Sequence, residues 1–110
     1  MSEPLTAVRA RALLRDGELA LAIEAFLDAL EQHPEHLESY FGLAEAYETT
    51  YEVLPDPELL HQVRNVLAAL SDQDPGPTLA ARAEAITARI AEKLAAAGNP
   101  PPAPGRSGPS

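Results

Sequence analysis

Between Gly17 and Tyr47, small and large apolar residues recur at helical intervals, and a turn residue closes each stretch. Ala22, Phe26 and Ala29 lie four and three apart, and the stretch ends at Pro34. Tyr40, Leu43, Ala44 and Tyr47 follow at steps of three, one and three. Steps of three and four put residues on one face of a helix. Proline cannot continue a helix, so Pro34 stops the first one. The alanines sit where two helices touch, and Phe26 fills the groove beside them. No segment of the chain shows the strict alternation of a half-buried strand, so the expected class is all-α.

Five helices are readable. The first spans about Pro4 to Arg15, with Asp16-Gly17 as its stop. The second spans about Glu18 to His33, and the third about Leu37 to Thr50. The fourth has Asp56 as N-cap and Pro57 at its first position, and carries Leu60, Val63, Val66, Leu67 and Leu70 on one stripe. The fifth follows Pro75-Gly76-Pro77, takes Thr78 as N-cap and ends near Ala97, with Gly98 in the C′ role. Short loops after helices one, two and four make their neighbours antiparallel. Residues 1–97 then form one helical domain. Residues 98–110, mostly Pro, Gly and Ser with a single charge, are expected to be disordered.

The spaced residues resemble the tetratricopeptide repeat, a helix-turn-helix unit of about 34 residues. Ala22, Phe26, Ala29 and Pro34 are similar to the second half of one unit. Tyr40, Leu43, Ala44 and Tyr47 are similar to the first half of the next, with Ala44 where the family most often has Gly. In helix one the corresponding positions hold Thr6, Arg9, Ala10 and Leu13, so the aromatic and the first Leu are missing. Thr49 to Asp56 makes a connection about seven residues longer than the family spacing. Beyond it, Val63, Leu67, Leu70 and Pro75 keep the apolar shape but not the residue types. Helix five, with Leu79, Ala83, Ile86, Ile90 and Leu94 on a narrow stripe, looks like the solvating helix that caps such arrays. The resemblance implies about two degenerate repeats plus a cap, an antiparallel array that binds another protein and is not an enzyme. Two units fall below the usual minimum of three, so the array stacks on itself or on a partner.

Charge is unevenly spread. The net charge is −9. From Asp16 to Val63 there are twelve carboxylates and no Lys or Arg, while the basic residues sit at the two ends. An acidic middle repels nucleic acid and anionic lipid and attracts basic partners, or it serves only to keep the surface solvated. There are no cysteines, which removes disulfides and thiolate ligands. No apolar run is long enough to span a membrane, and Met1 to Thr6 shows no signal peptide, so the expected location is the cytoplasm. Arginine outnumbers lysine seven to one, which is compatible with a GC-rich bacterial genome.

In the family, the first helix of each unit lines a concave groove. Carried onto this chain, that implies Arg11 and Arg15 from helix one, and Glu38, Phe41, Glu45, Glu48 and Thr49 from helix three. Phe41 adjoins Tyr40, and successive helical residues cannot share a face. It therefore either offers a ring to a partner or packs on helix one or five. Glu38, Glu45 and Glu48 share one side of the helix, where they would favour Lys or Arg in a ligand or form an ordinary solvated face. Tyr51, Val53 and Leu54 in the long connection need cover, from a partner or from the helix ends. His33 and His36 straddle Pro34 and do not share a helical face, and His61 lies on the polar side of helix four. No phosphate loop, nucleophile elbow or cofactor motif is present. The expected role is an adaptor that holds a basic or amphipathic segment of a partner protein in an acidic groove between helices one, three and five. The alternatives are a self-associating structural subunit, such as a homodimer, and an acidic decoy for a basic protein.

Overall fold

The computed structural model describes residues 3–98, which form five helices in sequence: α1 Leu5–Arg15, α2 Leu19–Gln32, α3 Leu37–Val53, α4 Pro57–Ser71 and α5 Pro77–Gly98. Each helix packs antiparallel on the next, and α1 also touches α3. The molecule measures 58 × 31 × 18 Å. Its thinnest dimension fits two helix layers at about 8–10 Å between axes, so the helices are laid side by side rather than closed into a bundle. Apart from Gly98, the tail expected over residues 98–110 lies outside the described residues.

Local chemistry explains the helix ends. Gly17 has a φ of 82° and follows Asp16. Its amide donates to the Leu14 carbonyl, and the Glu18 amide donates to the Leu13 carbonyl. This pair of bonds caps α1, and the left-handed backbone it needs suits glycine. Asp56 caps α4, its Oδ1 accepting from the Glu58 amide at 3.0 Å with Pro57 at the first position. The expectations for α5 differ in detail. The helix begins at Pro77, with the Gly76 carbonyl accepting from the Ala80 amide, so Thr78 is inside the helix and not its cap. Gly98 is the last described residue of α5 rather than a C′ residue after it.

The long connection after α3 is not a loop. The helix runs on to Val53, leaving only residues 54–56 between α3 and α4, as many as the 16–18 between α1 and α2. Compared position by position, α3 extends six residues past Tyr47, where α1 extends two past Leu13. Helix α4 begins six residues before Val63, where α2 begins three before Ala22. The seven surplus residues are thus one added turn in each arm of the second hairpin. Tyr51 is consequently helical and packs against the core, whereas Val53 and Leu54 are 73% and 65% exposed.

The core is the stripe read from the sequence. Ala22, Phe26 and Ala29 are fully buried, as are Leu60, Val63 and Leu70, while Tyr47 packs against them half-buried. Leu79, Ile86 and Leu94 of α5 pack partly buried against the core, to which the same helix contributes the buried Ala83 and Ile90. The Tyr40 hydroxyl donates to the Pro34 carbonyl at 2.9 Å, which ties α3 to the turn that precedes it. His36 Nδ1 and the buried Ser39 Oγ share a hydrogen bond of 2.7 Å across the first turn of α3.

Candidate functional site

Antiparallel packing makes α1, α3 and α5 parallel neighbours in one layer, and the trough lies where they meet. A depression of about 430 Å³ is lined by Arg11, Leu14 and Arg15 of α1, by Glu38, Phe41, Gly42, Glu45 and Thr49 of α3, and by Arg82 of α5. A second depression of about 350 Å³ continues along α3 and α5, where Glu48, Ile86 and Arg89 join Phe41, Glu45 and Arg82. Arg11, Arg15, Glu38, Phe41 and Glu45 therefore share the first depression, and Glu48 lies in the second.

Phe41 does not project. Its residue is only 3% exposed, and the Arg82 guanidinium lies 4.0 Å from the ring centroid. Phe41 and Arg82 both line each of the two depressions, as does Glu45. Tyr40 and Phe41 are both buried, each on its own face of α3.

Ion pairs tie α3 to α5 in three steps. Arg82 Nη1 lies 3.3 Å from each Glu38 oxygen, with both side chains about half exposed. Arg89 grips Glu48 with two bonds of 2.9 and 2.8 Å. The Lys93 ammonium lies 3.0 Å from Glu52 and 3.6 Å from Glu48, and 5.9 Å from the Tyr51 ring centroid. Burial pushes the Glu48 carboxyl up, but the hydrogen bonds of Arg89 and the charges of Arg89 and Lys93 outweigh it, and the net shift is downward. The Arg89 guanidinium is raised in turn by its bond to Glu48. On α1, Arg11 pairs with Glu3, which lowers the Glu3 carboxyl and raises the Arg11 guanidinium. Burial raises the phenols of Tyr40 and Tyr47. Glu45 and Arg15 are exposed, with no ion pair among the described residues.

These charges alter the expectation of an acidic groove. In the first depression three arginines face two glutamates, and Glu48 in the second is neutralised by α5. The surplus acidity is on the exposed side of α2, at Glu24, Asp28 and Glu31.

Four residues that matter here, Gly42, Arg82, Arg89 and Lys93, are not singled out by the repeat pattern. Gly42 lies against Phe26, and a Cβ built on it would overlap ring carbons Cε1 and Cζ, so glycine permits the contact of α2 with α3. The repeat pattern leaves the register of α5 open, so it does not place Arg82, Arg89 and Lys93 in the trough. The available signal was their spacing of seven and four, which places all three on one helical face.

The arrangement suits contact more than chemistry. Among the described residues, no three His, Cys, Asp or Glu side chains come together to hold a metal ion. His36 faces Glu3 at 3.7 Å and His33 faces Glu35 at 3.5 Å, in separate contacts. No described helix is long and apolar enough to cross a membrane. A family model described as Tetratricopeptide repeat matches residues 4–46. No curated protein and no solved structure gave a significant match to the chain.

Proposed function

From the match of residues 4–46 to a tetratricopeptide repeat model, we propose that the chain is a non-enzymatic adaptor, holding a segment of a partner protein in the trough between α1, α3 and α5. The repeat itself supports a protein–protein interaction module. The observation that carries the finer reading is the convergence of Arg11, Arg15, Glu38, Phe41 and Glu45 on one depression. The mixed charge of its walls favours an amphipathic segment with both signs of charge over a purely basic one. Glu45 and Arg15 are the charges best placed to meet it.

Phe41 is a poor residue for the test. It is buried, and truncating a buried Phe to alanine costs about 3–5 kcal/mol, enough to unfold a small domain. Charge reversal at two exposed positions avoids this. Arg15→Glu with Glu45→Lys is expected to abolish partner capture from a cell lysate, while Glu24→Lys with Asp28→Lys on α2 leaves it intact. The opposite pattern would move the binding face to α2 and refute the trough. A second reading, self-association, is favoured by the exposed Leu5, Val8, Leu21 and Leu27 on α1 and α2. Light scattering over a range of concentrations tests it, and a constant monomer mass rejects it.

A further inference from the structure

The contact between Arg82 and Phe41 has the form of an occupied binding site. A cation over an aromatic face is drawn to the ring's negative quadrupole, and Arg82 lies there at 4.0 Å. Glu38 and Glu45 stand three residues before and four residues after Phe41, so both carboxylates flank the ring on the same side of α3. All three line the depression together with Arg82. Ring face and carboxylates make a seat for a planar cation, because a guanidinium can stack on the ring and donate to carboxylates at its edge.

We propose that this seat receives an arginine side chain of the partner segment, and that Arg82 is an internal placeholder which the partner's guanidinium displaces. This rests on the reading of the trough as the partner site. Arg82 is weakly held. Its bonds to Glu38 are long, at 3.3 Å, and both side chains are about half exposed. Exposed ion pairs of this kind contribute little. The neighbouring pair of Arg89 with Glu48 is shorter, and its carboxylate is largely buried, so α5 stays in place when Arg82 swings out. Ile90 of α5, fully buried in the core, anchors the helix independently. When Arg82 leaves, the two depressions that share Phe41 and Glu45 become one. Arg11 and Arg15 line the α1 side of the first depression, so the incoming arginine is best followed by an acidic residue that answers them.

The test uses the full chain and a small probe, N-acetyl-arginine methylamide, with the alanine analogue as control. The chain has two phenylalanines, so aromatic NMR signals of Phe41 report the seat and those of the buried Phe26 serve as reference. Arg82→Ala and Arg82→Gln vacate the seat at an exposed position. The expected result is a saturable shift of the Phe41 ring by the arginine probe, with apparent binding about three- to tenfold tighter in both variants than in the native chain. Adding Glu38→Gln and Glu45→Gln to either variant should abolish it. Equal binding by native and variant chains, an equal effect of the alanine analogue, or no saturable shift in either variant overturns the seat. A seat that collapses once emptied counts as that last outcome. Partner capture is read separately. If it still depends on Arg15 and Glu45 while the ring stays silent, only the seat is refuted. If capture ignores the trough, the wider reading fails.

Discussion

Gly42 shows how much can rest on one missing methyl group. It sits in the middle of α3, where glycine costs about 1 kcal/mol against alanine in helix propensity. The Phe26 ring leaves no room for a Cβ there. Gly42→Ala is therefore expected to lower stability by about 1–3 kcal/mol despite the better propensity, because Phe26 is fully buried and cannot move aside freely. A denaturant midpoint that stays level or rises would show that the ring does have room. Tyr40→Phe removes the hydroxyl that donates to Pro34, and the same titration should register a loss of about 1 kcal/mol. Of these residues, Ala22, Phe26, Ala29 and Tyr40 were legible in the sequence, because spacing alone puts them on a buried stripe. Gly42 was not. The repeat pattern already has its small residue at Ala44, and which helix presses on a glycine depends on a crossing that spacing does not define.

Among the helices, α3 and α5 are the least legible in the sequence. The stretch from Thr49 to Val53 is rich in Thr, Tyr and Val, which are middling helix formers, and so it reads as a connection. Packing of Tyr51 and the pairing of Glu52 with Lys93 override that weak preference. Helix α5 was readable as a helix, but its register came from charges and not from its apolar stripe. Those charges predict a pH dependence. The folded-state pKa of Glu48 is depressed, so its contribution to stability is present above the ordinary glutamate value of about 4.3 and is lost as pH falls through the lower folded value. Glu48→Gln should thus be less stable than the native chain near neutral pH and should lose less stability on acidification. The expected gap is under about 1 kcal/mol, since Arg89 is half exposed. Parallel unfolding curves at all pH values would show that the pair adds nothing.

Across the whole molecule each helix leans on its neighbours, so stability should fall towards the two ends of the array. Amide hydrogen exchange is expected to be slowest in α2, α3 and α4, and fastest in the first turn of α1 and beyond Leu94 in α5. Uniform protection across all five helices would mean a single cooperative block instead. The all-α class and the order of helices are plain from the sequence, but the trough's charge is not, because Arg82, Arg89 and Lys93, which pair with the carboxylates of α3, come from a helix whose register the repeat pattern leaves open. The added turn in each arm of the second hairpin has one further consequence. Four residues added to α3 and three to α4 each come close to one turn of about 3.6 residues, and both lie at the connected end of the hairpin, so the side chains nearer its base keep the facing they would have without them. The second hairpin thereby stands higher than the first, and the banks of the channel have unequal height. A strand or helix laid across it meets a tall bank of α3 and α5 and a low one of α1, which gives the crossing a front and a back.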